Sequence, residues 1–126
     1  MKKILIIDDD RDLADTIKSV LEYAGYAVLL SHEGEDGVAK AKEQKPDLIL
    51  LDIMMPGMDG TEAVTQLKAE PLVRDIPVIL LTGLISSEDK TKGLEEINIG
   101  GVQYQSLAKP FDNEKLLKVI QETLAE

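Results

Sequence analysis

The sequence contains no cysteine. Disulfides, thiolate metal sites and cysteine nucleophiles are thereby excluded, and the absence suits a reducing compartment. Long apolar runs are missing too: no stretch approaches the roughly 18 apolar residues of a membrane span. Met1-Lys2-Lys3 carries the charge of a signal-peptide head, but the apolar run behind it stops at Asp8, too short for an export core. Basic residues are scarce, 14 Lys and Arg against 24 Asp and Glu, for a formal net charge of −10. So acidic a surface repels nucleic acid phosphates and anionic lipid. Direct nucleic acid binding and membrane insertion are not expected; partners should offer basic or apolar surfaces, or cations. These absences together predict a cytoplasmic protein.

What is present fits one domain over residues 1–126. A chain of this length buries about two-thirds of the surface it exposes when unfolded and folds without staples. Short apolar runs at residues 4–7, 27–30, 48–51, 78–81 and 102–108 alternate with helical patterns. The first, third and fourth runs are continuous, as in strands buried on both faces of a parallel sheet. Between them, Leu13, Ile17, Val20, Leu21 and Ala24 form one face of a helix over 11–24, which Gly25 stops. A shorter helix is expected over 37–43. A third should start at Asp59, with Glu62 completing a capping box, and end before Pro71; a fourth should start at Ser86. Gly93 would weaken that fourth helix by about 1 kcal/mol relative to Ala. Asp112 should cap a fifth, with Leu116, Leu117, Ile120 and Leu124 facing inward. Five strand–helix repeats imply a doubly wound α/β fold, a five-stranded parallel sheet with helices on both faces.

The polar residues that follow the strands are the chemical signal. The first run ends in Asp8-Asp9-Asp10, the third in Asp52, the fourth in Thr82 and the last in Lys109. All are C-terminal strand ends, which share one edge of a parallel sheet, the edge where such sheets bind ligands. An Asp after a strand is by itself usually a turn or cap residue. Three carboxylates, a hydroxyl and an ammonium on one rim are equipped for more. Clustered carboxylates repel unless a cation sits among them, and oxygen-only ligands favour a hard ion, Mg²⁺ before Ca²⁺ or Zn²⁺. A carboxylate beside such an ion, a hydroxyl and an ammonium can take up a phosphoryl group, the cations neutralising its oxygens.

Four strings then resemble the receiver domains of two-component response regulators: Ile6-Ile7-Asp8-Asp9, the run from Leu51-Asp52 through Met54-Met55-Pro56-Gly57 to Asp59-Gly60, Leu81-Thr82-Gly83, and Ala108-Lys109-Pro110-Phe111. The resemblance covers the whole chain and implies the flavodoxin-like strand order 2-1-3-4-5. It also implies that Asp52 is the phosphoacceptor, charged by a sensor histidine kinase or a phosphotransfer protein. Asp8, Asp9, Asp52 and the Met54 backbone carbonyl would hold Mg²⁺, and no other cofactor is implied. Thr82 and Lys109 would engage the phosphoryl group, and the signal would pass to a downstream effector protein or output domain. Such a domain is not an enzyme beyond its own phosphotransfer and autodephosphorylation.

The family usually carries Tyr or Phe three residues before its Lys; here that position is Ser106, with Tyr104 two residues further back. The final strand also looks one residue long, and a bulge could re-aim Tyr104. Met54 and Leu84, apolar beside the site, cannot orient an attacking water, so slow autodephosphorylation is expected. Asp10 is read as a helix cap, and His32, the single histidine, as a surface loop residue. Two alternatives stand beside the switch. One is a receiver-like interaction module that never takes phosphate. The other is an aspartate-based phosphohydrolase of the haloacid-dehalogenase kind, suggested by Asp8-x-Asp10 but lacking the cap and late acidic pair of such enzymes.

Overall fold

The computed structural model describes residues 1–53, 60–82, 94–99, 102–108 and 112–125; of residues 60, 61, 82, 94–99, 103 and 108 only the backbone is described. The strands are β1 (Lys3–Ile7), β2 (Ala27–Ser31), β3 (Leu48–Asp52), β4 (Val78–Thr82), β5 (Leu94–Ile99) and β6 (Val102–Ala108). The helices are α1 (Arg11–Tyr23), α2 (Gly34–Gln44), α3 (Gly60–Ala69) and α4 (Asn113–Leu124). The sheet order is β2-β1-β3-β4-β6-β5. Its first five strands run parallel, in the 2-1-3-4-5 order expected for five parallel strands.

Alternation of side chains along the strands builds two cores. Leu5, Ile7, Ile49, Leu51, Leu80 and Tyr104 meet Val38 and Ala41 of α2 and Ala63, Val64 and Leu67 of α3. On the other face, Ile6, Leu50, Ile79 and Leu107 meet Ala14, Ile17 and Leu21 of α1 and Leu116, Val119 and Ile120 of α4. The continuous apolar runs of β1 and β3 follow from this: every residue faces one core or the other, and all five residues of β3 are buried. Each fully buried Leu or Ile contributes about 1.5–3 kcal/mol.

Local signals set the ends. Asp10 caps α1, its side chain accepting from the Leu13 N–H at 3.1 Å, and Asp112 caps α4, accepting from the Lys115 N–H at 2.7 Å. Gly25 takes φ +101 after α1, a conformation that suits glycine. Helix α2 starts at Gly34, three residues before the expected 37. Its first turn, Gly34-Glu35-Asp36, has no apolar residue to signal a helix, but two carboxylates there favour the helix N-terminus.

The structure adds to the expected five parallel strands. The sheet has a sixth strand: β5 runs antiparallel to β6, from Leu94↔Leu107 to Ile99↔Val102. The helix expected from Ser86 through Gly93 lies outside the described residues, as does Asp59. Only Gly100 and Gly101 separate the paired Ile99 and Val102, the spacing of a two-residue hairpin connection. No bulge interrupts the described pairing of β6. Pairing is uninterrupted from Ile79↔Gln105 to Thr82↔Ala108 and throughout the pairing with β5. Tyr104 and Ser106 therefore point to the same side, both buried.

Candidate functional site

The site is made where β1 and β3 end. Their register pairs Ile7 with Leu51, so the next residues, Asp8 and Asp52, stand side by side although 44 positions apart. Asp8 is fully buried and Asp52 is 3% exposed, while Asp9 reaches solvent. One carboxylate oxygen from each of the three lies within 4.8 Å of the others. Oxygens around an octahedral Mg²⁺ stand about 3 Å apart when adjacent and about 4.2 Å when opposite. The three side chains are thus near enough to converge on one ion, and their oxygen-only chemistry suits a hard divalent one.

Backbone bonds hold this arrangement. The Asp8 N–H donates to the Ser31 carbonyl at 3.0 Å, and the Ile53 N–H beyond Asp52 donates to the Leu81 carbonyl at 3.1 Å. The Asp10 N–H donates to Asp8 Oδ1 at 2.9 Å. Asp10 itself is spent on capping α1, as expected, which removes the second carboxylate from an Asp-x-Asp phosphohydrolase reading.

Of the other expected site residues, Thr82 ends β4. Its neighbour Leu81 pairs with Asp52, and Thr82 itself pairs with Ala108, the residue before Lys109. The backbone thus brings these strand ends to the same rim. The Thr82 side chain, Met54 and Lys109 lie outside the described residues.

The β2–α2 turn beside the carboxylates was missed. The Ser31 hydroxyl lies 2.8 Å from Asp36 Oδ2 and 2.9 Å from the Glu33 carbonyl, sharing one proton between them. The Lys40 ammonium bridges Asp36 at 3.2 Å and donates to the Leu30 carbonyl at 2.6 Å. The Ser31 hydrogen bond, the largest cause, holds the Asp36 carboxyl below its ordinary range against the opposing effect of burial, with Lys40 adding to the lowering. His32 lies in this loop, as expected, but is partly buried, its Nδ1 3.0 Å from the Asp8 carbonyl. Nothing in the local pattern announces this; the signal is only that residues 31–32 stand at the end of β2, the strand beside β1.

Away from the rim, Tyr104 packs in the α2/α3 core with the Lys68 ammonium 5.8 Å from its ring centre. Burial raises the Tyr104 phenol and lowers the Lys68 ammonium from their ordinary values. No helix among the described residues is long and apolar enough to cross a membrane.

Comparison with known proteins identifies the class. The chain belongs to the response regulator receiver domain family, whose model matches residues 4–121. It is 41% identical to protein PilH of Pseudomonas aeruginosa over 125 residues, covering 99% of both chains. It is 42% identical over 117 residues to the DNA-binding dual master transcriptional regulator RpaA of Synechocystis, of which it spans 46%. Among solved structures it resembles the receiver domain of a Pseudomonas aeruginosa sensor histidine kinase, which has a magnesium ion coordinated in its active-site cleft. The TM-score is 0.83 at 28% identity, with 99% of this chain and 98% of that one covered. The family's role is phosphorylation-dependent signalling in two-component systems. Its members exchange signals with histidine kinases and with effector or output domains, and are not catalytic enzymes as such.

Proposed function

We propose that this chain, a single receiver domain over residues 1–126, is a cytoplasmic switch that takes a phosphoryl group on Asp52. The observation that carries this reading is the meeting of the Asp8, Asp9 and Asp52 carboxylate oxygens within 4.8 Å of one another at the sheet's C-terminal rim. An Asp52 oxygen attacks phosphorus, and the P–N bond of a partner's phosphohistidine breaks. The imidazole leaves with the electron pair and takes up a proton. Asp8, Asp9, Asp52 and the Met54 carbonyl hold Mg²⁺ in this reading. When bound, that ion supplies positive charge against the phosphoryl oxygens. Lys109 adds a second positive charge and Thr82 a hydrogen bond.

Phosphorylation adds about −1.5 to −2 charges and three acceptor oxygens. A sensor histidine kinase or phosphotransfer protein supplies the group, and an effector protein or output domain reads the change. No nucleic acid contact by the domain itself is invoked. With Met54 and Leu84 apolar, Asp52 phosphate should be long-lived without a phosphatase; its loss within seconds in the isolated protein would argue against this.

Incubation with acetyl phosphate and Mg²⁺, followed by intact mass measurement, tests the reading. One added phosphoryl group, lost in Asp52→Asn, is expected. An unmodified wild-type chain would instead favour the phosphate-independent interaction module, to which the buried Ser106 lends a specific observation.

A further inference from the structure

In a parallel ladder, a residue at the end of β1 would donate its N–H to β2 and receive an N–H from β2 on its carbonyl. Asp8 sits one step beyond the last β1–β2 pair, Ile7↔Ser31. Its N–H keeps the ladder pattern, donating to the Ser31 carbonyl at 3.0 Å. The Glu33 N–H should then reach the Asp8 carbonyl, but it points to Ser31 Oγ at 3.4 Å, where the chain turns into α2. The His32 ring fills the place, with Nδ1 3.0 Å from the Asp8 carbonyl oxygen. A carbonyl cannot donate, so Nδ1 carries the proton and donates.

The Asp8 carbonyl belongs to the peptide that joins Asp8 to Asp9. A donor on that oxygen fixes the plane from which the exposed Asp9 side chain springs. Asp8 is already held at its N–H and at Oδ1, the latter by the Asp10 N–H at 2.9 Å. His32 ties down the Asp8–Asp9 peptide at its carbonyl oxygen. Ser31, Asp36 and Lys40 hold the turn that carries the ring.

We propose that His32 is a positioning residue for the divalent cation, acting through the Asp8–Asp9 peptide. This rests on the reading that Asp8, Asp9 and Asp52 hold that cation. Partners that orient metal ligands are commonly worth about tenfold or more in affinity.

Two measurements on the full chain test it. ¹⁵N spectra of the wild-type imidazole at alkaline pH should show the Nδ1–H tautomer; an Nε2–H tautomer would overturn the proposal without any variant. Calorimetric titration with Mg²⁺ should show affinity reduced about tenfold in His32→Ala and largely restored in His32→Asn, whose amide nitrogen can stand where Nδ1 does. Unfolding in EDTA should show both variants folded. Equal weakness in His32→Ala and His32→Asn would overturn the role of the hydrogen bond. Unchanged affinity in His32→Ala, beside lost affinity in Asp9→Asn, would overturn this inference and leave the carboxylate reading standing. A wild type that binds no Mg²⁺ would overturn both.

Discussion

Along the N-terminal edge of the sheet, polar groups are matched within the protein. The Lys3 N–H donates to Asp47 Oδ2 at 2.8 Å and the Lys3 ammonium to the Gln44 carbonyl at 3.1 Å. The Lys68 ammonium donates to the Arg74 and Ile76 carbonyls, each at 2.9 Å. A groove of about 760 Å³ on this edge sets Lys2, Lys68 and Arg74 against Asp47, Asp75 and Glu122. At the C-terminal rim the described ends of β1 and β3 bring three carboxylates together, two of them buried. Burying like charges together costs stability unless something neutralises them. One edge is thus organised for stability, and the other gathers the carboxylates that the proposed function assigns to a cation.

Breaking that contrast starts with the cation. Mg²⁺ at a hundred times its dissociation constant should stabilise the wild type by about 2.7 kcal/mol, read as a shift in the urea midpoint. Asp9→Asn should remove most of that gain; an equal shift in both proteins would mean that the rim is not the binding site.

At the opposite edge, Lys68→Met keeps the side chain's apolar stem but leaves two carbonyls without their donor. A loss of about 1–3 kcal/mol is expected, with Mg²⁺ affinity unchanged. A fall in affinity would show that the two edges are coupled.

Gly37→Ala should affect both quantities at the rim. A Cβ at this position would stand 2.5 Å from Ile7 Cδ1 and 2.6 Å from Cγ1, and Ile7 directly precedes Asp8. Overpacking of this kind costs about 1–3 kcal/mol, against the roughly 1 kcal/mol that Ala gains over Gly in a helix. Net destabilisation together with weaker Mg²⁺ binding is expected; a stabilised variant would show that Ile7 can move aside freely.

The smallest effect is at Asp36, whose carboxyl is largely exposed. Its folded pKa lies below the ordinary 3.8 because of Ser31 and Lys40. Its contribution is therefore present above 3.8 and lost as pH falls through the folded value. Asp36→Asn should flatten this part of the acid unfolding curve; an unchanged acid limb would remove the turn network from the account.

Much of this architecture is legible from residue order. The runs beginning at Ile4, Leu48 and Val78 are apolar throughout because both faces of the sheet are covered. Asp10 and Asp112 announce their helices because a cap acts within one turn. The β5 strand escaped such reading because Glu95 and Glu96 interrupt its apolar pattern. What makes it a strand is its pairing with β6, a contact between segments rather than a local preference. The early start of α2 was hidden for a related reason: its first turn has no apolar residue to mark a face.

The sequence by itself determined that Asp8, Asp9, Asp52 and Thr82 stand at the C-terminal ends of their strands, on one edge of a parallel sheet. Strand direction and a two-residue side-chain period are local properties, and they suffice for that. Only the tertiary structure decided that β1 and β3 are neighbours in the Ile7↔Leu51 register, which brings the Asp8 and Asp52 carboxylates within reach of a single ion. It alone placed the His32 ring on the Asp8 carbonyl, because the amide that would have served there turns away with α2. Both outcomes depend on contacts between segments far apart in the chain, which no local pattern encodes.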